Sequence, residues 1–402
     1  MRTHRIIASV AIATAAGLGI PQVAHSAPTS AASCAGGVSA AELQTAFHHP
    51  GLGPGGLVGE DYQRAQPLPD GRVLWTFQDV YLGGSGSNFG SAHFVHNVGL
   101  VQTGSCYEIL RQGTARSPKS WIGGESERQL RSWLWPLDSV PAADGTLAQF
   151  MVKMQNPTGK GAAPGAEPVG VWIAKLRLSD LSVISLQPAP DSGDRPLYGF
   201  SVTSDQRYTY LYGNCYRQFT NGGFPDDACG PKTYVARVPL GRPDVTPQYW
   251  NGTAWSADRT GAAPVMTRGN SANAMQVRRI GSRFVAVTKI DDWFGSTVAV
   301  DVAISPTGPW TPATSFITGT VCAECNTYAP HLLPWADTDG ALMVAISNNA
   351  FDMRQAASDP TLYRPSFVRL TLASGGPLTS TSLAEIAVKS GGITLLPVRS
   401  RS

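Results

Sequence analysis

The sequence has little charge and few long stretches free of glycine and proline. Only 15% of its 402 residues are charged, and its 43 glycines and 30 prolines are spread along the whole chain. Helical bundles need long runs without either residue, and the same spread argues against a doubly wound α/β sheet. The 10 Trp, 12 Tyr and 13 Phe residues supply a large core, which argues against disorder. The composition therefore predicts a large all-β protein.

The chain also lacks strong charge of either sign and the motifs of several common enzymes. Its 31 basic and 28 acidic residues leave a net charge of +3, with no basic cluster for nucleic acid or a membrane surface. It contains no Gly-x-Ser-x-Gly of serine hydrolases, no His-Glu-x-x-His of zinc proteases and no phosphate-binding Gly-Lys-Ser/Thr loop. We therefore expect no nucleic-acid partner and a site of a different chemistry.

The first 26 residues have the pattern of a secretory signal peptide. Met1–Arg5 is basic, Ile6–Ile20 is apolar, and Ala24–Ser26 offers small residues for cleavage. A membrane anchor would need about 20 apolar residues, and this run is shorter and broken by glycine. We therefore predict a signal peptide at 1–26 and a single mature domain at 27–402, secreted to the extracellular space and without a membrane span.

Six cysteines in an exported chain are expected to form three disulfides. Proximity in sequence favours one set among several: Cys34–Cys106, Cys215–Cys229 and Cys322–Cys325. A redox or zinc role for the Cys-x-x-Cys pair is the alternative, disfavoured because the chain has no second such pair and no suitably spaced histidines. A lipoprotein modified at Cys34 is a further alternative, which the distance from the apolar run disfavours. We predict structural cross-links.

One hairpin pattern recurs five times along the chain. Each copy has an aromatic or apolar strand start, a turn with Asp or Gly, and a second strand rich in branched and aromatic residues. The copies begin near Asp61, Trp133, Tyr198, Met275 and Tyr328. Further strand pairs lie between them, so the pattern predicts a five-bladed β-propeller of four-stranded antiparallel blades, closed by strands at 367–372 and 393–398. A β-sandwich is the alternative, but it would not require a long repeat.

The far ends of the predicted hairpins are expected to converge on one mouth of the central channel. Residues equidistant from a hairpin turn lie opposite each other, so the turn at 70–71 brings Asp61 and Asp79 together. The same construction predicts three further proximities: Tyr198 near Asn214, Tyr328 near Ser347–Asn349, and Met275 near Lys289. Inner strands of a propeller run beside the axis, which makes this mouth the expected ligand site.

The side chains predicted at the mouth suit sugar chemistry. Glycoside hydrolysis needs one carboxyl to protonate the leaving oxygen and a second to act as base or nucleophile, beside aromatic and amide groups. The predicted catalytic acids are Asp61 and Asp79, with Asp138 or Glu324 as a third. The predicted substrate-binding residues are His96, Asn97, Trp135, Tyr198, Asp292, Tyr328 and Asn349. We expect no cofactor and no metal ligands; a structural Ca²⁺ stays open, although no Asp-x-Asp-x-Asp-Gly loop supports it.

Six short segments spread over nearly the whole mature chain carry a family resemblance. They are Pro67–Asp79, Phe94–Asn97, Trp133–Pro136, Ser305–Thr311, Tyr328–Pro330 and Asn349. These segments resemble a family of exported five-bladed propellers long described as a domain of unknown function, some of whose members are endo-D-arabinofuranases that cleave cell-wall D-arabinan. The resemblance implies that Asp61 and Asp79 correspond to the two acids of the family's first blade. Gln78 stands where the family has glycine before the second acid.

The sequence therefore predicts a secreted glycoside hydrolase acting on a cell-wall or furanose-containing polysaccharide, with D-arabinan implied by the resemblance. The expected partner is a polysaccharide or oligosaccharide substrate, and we expect a monomer. Two alternatives stay open: a non-catalytic extracellular propeller that binds glycan or protein at the same mouth, and a lyase that uses His96, Lys153 and Tyr328.

Overall fold

The structure is a computed structural model of the chain. It describes residues 37–49, 52–83, 91–127, 129–159, 166–192, 195–215, 232–267, 275–290, 296–319, 322, 325–350, 352–370 and 393–395. The predicted signal peptide lies outside these residues and stays a prediction, as does the domain boundary that follows it. Within the described residues, no helix is long and apolar enough to cross a membrane.

Five antiparallel sheets follow one another along the chain. The first contains β1 (Leu57–Pro67), β2 (Val73–Leu82), β3 (His93–Thr103) and β4 (Cys106–Leu110), and is followed by the small pair β5 (Gln112–Thr114) and β6 (Ser117–Lys119). The second contains β7 (Ser132–Pro141), β8 (Thr146–Gln155), β9 (Glu167–Arg177) and β10 (Val183–Pro188).

The remaining three sheets have the same meander order. The third contains β11 (Leu197–Ser204), β12 (Tyr208–Asn214), β13 (Lys232–Pro239), β14 (Gln248–Trp250), β15 (Trp255–Ser256) and β16 (Met266–Thr267). The fourth contains β17 (Gln276–Ile280), β18 (Arg283–Lys289), β19 (Thr297–Ala303) and β20 (Thr311–Ile317). The fifth contains β21 (Cys325–Ala336), β22 (Leu342–Ala350), β23 (Ser366–Leu370) and β24 (Ile393–Leu395).

The first strand of each sheet forms the inner wall of a closed ring. β1 contacts β7, β7 contacts β11, β11 contacts β17, β17 contacts β21, and β21 returns to β1. This arrangement confirms the predicted five-bladed propeller. Four sheets have the expected four strands, whereas the third has six because a short hairpin and an extra pairing extend it. Buried Val, Leu, Ile and aromatic side chains fill the spaces between neighbouring blades.

Two kinds of short helix lie outside the sheets in the described part of the chain. They are α1 (Ala40–Phe47), α2 (Met353–Ser358) and single 3₁₀ turns at Pro54–Gly56, Gln129–Arg131 and Pro360–Tyr363. The composition gives no sign of α1, although its Ser39 and Glu42 form a reciprocal capping box at its start. The 3₁₀ turn at Pro360–Tyr363 brings the Tyr363 hydroxyl to the backbone of Asp79 in the first blade.

Helix α1 joins the first blade to the last. The Phe47 ring lies 5.5 Å from that of Trp75 in the first blade and 5.4 Å from that of Phe367 in the fifth. The side-chain oxygen of Gln44 accepts a hydrogen bond of 2.9 Å from the backbone nitrogen of Phe367. The C-terminal strands predicted to close the ring are instead the third and fourth strands of the fifth blade. Closure therefore depends on the β21–β1 contact and on α1.

Replacing Phe47 with alanine should show how much α1 contributes to closure. Phe47 is fully buried between two blades, so Phe47→Ala is expected to lower the free energy of unfolding by about 3–5 kcal/mol through lost burial and a cavity. Urea denaturation of the purified protein measures this. Ile317→Ala, at an exposed position on β20, serves as the control and should leave the midpoint nearly unchanged. A Phe47→Ala protein as stable as that control would contradict the role assigned to α1.

Candidate functional site

Two shifts of register in the first blade determine the positions of Asp61 and Asp79. The β1–β2 ladder shifts register on both sides of Asp61, and Asp61 pairs with Gln78 instead of Asp79. Tyr198 likewise pairs with Gly213 instead of Asn214. Each register is therefore one residue from the one that equal spacing from the turn gives, because such spacing does not anticipate bulges. Asp61 still lies close enough to Asp79 to feel its charge. Tyr328 does pair with Ser347, as predicted.

Backbone strain is concentrated at the same place. Tyr62, Asp79 and Ala329 have φ angles of 48°, 43° and 46°, in the left-handed region that side chains other than glycine rarely adopt. Each residue is part of the candidate site or follows one of its members in sequence. Strained backbone of this kind persists only where the surrounding structure holds it, and it is frequent at functional sites.

Asp79 is held by two donors from different strands. Its Oδ1 accepts hydrogen bonds of 2.8 Å from Nδ1 of His96 on β3 and from Nε1 of Trp135 on β7. The His96 ring stacks on Trp133, with centroids 4.7 Å apart. Two N–H donors on one oxygen fix the direction of the carboxylate, while 17% of the side chain stays exposed.

Asp61 has a different environment. It is buried, and its Oδ2 accepts a hydrogen bond of 2.7 Å from the Tyr328 hydroxyl. Burial raises the pKa of Asp61 well above its usual range, and the charge of Asp79 raises it further; the hydroxyls of Tyr328 and Tyr363 act in the opposite direction. The Tyr363 hydroxyl also donates a bond of 3.0 Å to the backbone oxygen of Asp79. One carboxyl is thus disposed to keep its proton, and it lies beside another that accepts two hydrogen bonds.

Asp138, the predicted third acid, lies in a buried ion pair that crosses the channel. The Arg278 guanidinium donates to both of its oxygens, at 2.5 Å from Nη1 to Oδ2 and 3.0 Å from Nη2 to Oδ1. Asp138 belongs to the second blade and Arg278 to the fourth. The backbone nitrogen of Val202, in the third blade, also donates to Oδ2 at 2.7 Å.

The same network reaches the two remaining blades. Arg278 Nη2 donates at 3.2 Å to Nε2 of His331 in the fifth blade, and the backbone nitrogen of Ala65 in the first donates to that same Nε2 at 3.3 Å. Burial lowers the pKa of His331 well below its usual value, and the charges of Arg278 and Arg64 lower it further. Neutral His331 accepts at Nε2 and donates from Nδ1 to the side chain of Gln276. The network therefore links all five blades across the channel.

The other predicted site residues have varied positions. His96, Trp135 and Tyr328 meet the two carboxyls directly. Asn97 is buried, and its amide bonds the backbone of Ile122 and Leu134. The Tyr198 ring is buried against that of Tyr249, at 5.4 Å. Asn349 pairs with Asn326 at the end of β22. Asp292 and Glu324 lie outside the described residues, so their predicted roles stay untested.

The Gln78 side chain is not free at the mouth. It is buried, and its Nε2 donates a hydrogen bond of 3.0 Å to the backbone oxygen of Pro136 in the second blade. The residue that precedes Asp79 therefore joins the first blade to the second.

Three residues at the site are not predicted by the pairing of strands in hairpins. Tyr363 comes from a 3₁₀ turn between β22 and β23, and Glu127 from the loop between β6 and β7. Pairing rules apply only within a hairpin, so they carry no signal for either residue. Tyr62 follows Asp61 directly, and its ring lies 5.3 Å from that of Tyr328. Its proximity to a predicted acid is the one signal that could have identified it.

The described cysteines are consistent with the predicted cross-links. Cys322 and Cys325 form a disulfide. Cys106 and Cys215 are also disulfide-bonded, while Cys34 and Cys229, their predicted partners, lie outside the described residues. Among the residues that the structure describes, no group of three or more His, Cys, Asp or Glu side chains could hold a metal ion. A structural Ca²⁺ therefore finds no described ligand set.

Comparison with known proteins identifies a family and a fold. A protein-family model matches residues 53–372, and the family is described as a domain of unknown function, DUF5005. No curated protein sequence matches the chain. A candidate hydrolase from Bacteroides ovatus has a crystal structure similar to this chain, with a TM-score of 0.63, 18% identity, and coverage of 82% of this chain and 88% of that one.

Structures of a GH43_1 enzyme from Xanthomonas citri are also similar. The complex with xylotriose has a TM-score of 0.46, 12% identity, and coverage of 80% of this chain and 89% of that one. The complex with xylose has a TM-score of 0.48 at the same identity.

The ion pair that crosses the channel should be costly to break. Arg278→Met leaves the Asp138 charge buried without its partner, so we expect the free energy of unfolding to fall by about 3–5 kcal/mol. The double variant Asp138→Leu/Arg278→Met removes both charges and should recover part of this loss in urea denaturation. Arg354→Met, which breaks an exposed pair with Asp352, is the control and should leave the midpoint unchanged. Additive losses in the double variant would contradict the coupling.

The titration of Asp61 should reveal its unusual environment. We expect its carboxyl, followed by ¹³C NMR, to keep its proton to a higher pH than the exposed carboxyls do. Tyr328→Phe removes a hydrogen bond that lowers the pKa of Asp61, so the titration should move to still higher pH. Tyr107→Phe removes a buried hydroxyl remote from Asp61 and should not move it. An Asp61 that titrates with the exposed carboxyls would refute this assignment.

Proposed function

We propose that this chain, which belongs to the DUF5005 family, is a glycoside hydrolase whose working groups are Asp61 and Asp79. The observation that carries the proposal is a pair of neighbouring carboxyls with opposite environments at one mouth of a propeller. Burial raises the pKa of Asp61, whereas Asp79 is partly exposed and accepts two N–H donors at one oxygen. Carboxyls whose environments differ in this way divide the roles of acid and base.

Asp61 is the general acid in this proposal. A carboxyl that keeps its proton can donate it to the glycosidic oxygen as the bond to the sugar breaks. The hydroxyls of Tyr328 and Tyr363 stabilise the carboxylate that this transfer leaves behind. Because Tyr328 bonds Oδ2, the acidic proton belongs on Oδ1.

Asp79 is the second carboxylate. It either attacks the anomeric carbon or removes a proton from the water that does so, and the cationic charge that develops on the sugar favours an anion at this position. His96 and Trp135 both donate to Oδ1, which leaves Oδ2 for the reacting atom. The configuration of the first product distinguishes the two routes, because direct attack gives retention and activation of water gives inversion.

The substrate proposed is a cell-wall polysaccharide that contains furanose sugars, with D-arabinan as the first choice. Support comes from the sequence resemblance of the first-blade acids and from the aromatic side chains around them, since flat rings bind sugar faces. The similar fold of a candidate hydrolase from Bacteroides ovatus is compatible with hydrolysis. We also propose that the protein is secreted and acts as a monomer.

Neutral replacements of the two acids test the proposal. The purified protein is incubated with D-arabinan and a panel of plant and bacterial cell-wall polysaccharides, and the products are analysed by chromatography. Asp61→Asn and Asp79→Asn are each expected to lower kcat on a susceptible glycan by at least about a thousandfold, because each removes a group that the reaction requires.

A turn residue of the same hairpin provides the matched control. Asp70→Asn changes an exposed acid at the β1–β2 turn and should leave hydrolysis unchanged. Thermal unfolding of all three variants shows whether they fold. Folded Asn variants that hydrolyse as fast as the natural protein would show that the acids are wrongly assigned. Binding of glycan without any product would favour the non-catalytic alternative.

A further inference from the structure

We propose that Ser347 is a positioning residue for Asp61, which it holds against Tyr328 across the interface between the first and fifth blades; this inference rests on the proposed function of Asp61. Ser347 lies opposite Tyr328 in the β21–β22 ladder. Its hydroxyl accepts a hydrogen bond of 2.8 Å from the backbone nitrogen of Tyr62, the residue that follows Asp61. A side chain of the fifth blade therefore contacts the backbone beside the proposed acid.

Gln63 extends this contact back to the fifth blade. The Ser347 hydroxyl donates a hydrogen bond of 2.6 Å to Oε1 of Gln63, and Nε2 of Gln63 donates one of 3.3 Å to the backbone oxygen of Ala329. Ser347 and Gln63 are only 0% and 1% exposed, so their hydrogen bonds are shielded from water. Ala329 follows Tyr328 in the chain. The residues that directly follow Asp61 and Tyr328 are thus joined through two buried side chains.

These hydrogen bonds end on strained backbone. Tyr62 and Ala329 have left-handed φ angles of 48° and 46°. Residues with a side chain keep such angles only where the surrounding structure holds them. The Ser347 hydroxyl fixes the nitrogen of Tyr62, and the Gln63 amide fixes the carbonyl of Ala329. Each strained residue follows one partner of the bond between the acid and its tyrosine, so relaxation of either would move that partner.

The alignment of that bond matters for acid catalysis. The Tyr328 hydroxyl donates to Oδ2 of Asp61 at 2.7 Å and stabilises the carboxylate that remains after proton transfer. A displacement of about 1 Å in a catalytic group can slow a reaction about a hundredfold. Ser347 acts on Asp61 through the backbone of Tyr62, so its loss is expected to lower kcat and to leave KM nearly unchanged.

The titration of Asp61 reports this alignment without any hydrolysis. The titratable and charged groups that face its carboxyl are Asp79 on β2, Tyr328 on β21, Tyr363 in the 3₁₀ turn and Arg64 on β1. Ser347→Ala removes none of these groups, so a change in the titration must come from a change in geometry. Because the Tyr328 bond lowers the pKa of Asp61, weakening that bond should move the titration, followed by ¹³C NMR, to higher pH.

Ser201 provides a matched control in the interface between the third and fourth blades. It is 0% exposed, and its hydroxyl accepts a hydrogen bond of 2.8 Å from the backbone nitrogen of Val277. Ser201→Ala therefore removes the same kind of bond from a different interface. Both alanine variants should lower the urea midpoint by similar amounts. Only Ser347→Ala should move the titration of Asp61 and lower kcat, by about tenfold or more, on a glycan that the natural protein hydrolyses.

A double variant separates positioning from general loosening of the interface. If Ser347 acts by aligning the Tyr328 hydroxyl, Ser347→Ala/Tyr328→Phe should titrate at the same pH as Tyr328→Phe alone, because the bond to be aligned is already absent. Gln63→Met removes the next link and should move the titration in the same direction as Ser347→Ala. Gln63→Met also provides the test if Ser347→Ala does not fold.

The titration and the kinetics distinguish the failure of this inference from that of the proposed function. A titration of Asp61 in folded Ser347→Ala or Gln63→Met that matches Ser201→Ala would overturn the inference, whether or not any glycan is hydrolysed. Shifts that add in the double variant would also overturn it. If the natural protein hydrolyses no glycan but the titrations move as expected, the proposed reaction fails while the positioning of Asp61 by Ser347 stands.

Discussion

The buried ion pair between Asp138 and Arg278 is the constraint on which the arrangement of the blades depends. Two charges removed from water must be matched closely, since either one alone would be costly to bury. Arg278 reaches from the fourth blade to the second, and its bonds extend to the third and fifth. A shift of any one blade would break part of this match. The inner strands are therefore fixed relative to one another, and so are the side chains that they carry to the mouth.

At the mouth, the fixed positions of the blades give two carboxyl groups different surroundings. Asp61 and Asp79 lie on adjacent strands of one hairpin, yet the second blade supplies a donor to Asp79 and the fifth blade supplies one to Asp61. The left-handed backbone at Tyr62, Asp79 and Ala329 is part of the same arrangement. Strain of this kind needs compensation elsewhere, and the packed interfaces between blades supply it.

Much of this structure follows from local patterns in the sequence. Alternating strands and turn residues define the five hairpins, and the position of the turn at 70–71 brings Asp61 close to Asp79. The same pattern predicts three residues that contact these carboxyls, because each lies near the end of a predicted strand: His96, Trp135 and Tyr328. The bulges on both sides of Asp61 shift the register by one residue, and the position of the turn does not predict them. Tyr363 and Glu127 are missed because tertiary packing alone brings them to their places, whereas α1 has a local signal, the capping box of Ser39 and Glu42, that composition does not show.

Helix α1 also sets the order in which the ring can be completed. Gln44 and Phe367, joined by a hydrogen bond, lie 323 residues apart in the chain. A chain that emerges from its N-terminus presents the apolar face around Phe47 long before its partner in the fifth blade exists. Contacts between such distant residues form late, because the loop between them must first be closed. The protein therefore gains its last layer of core only after its final blade has been made, and an interrupted chain would leave that face open to aggregation.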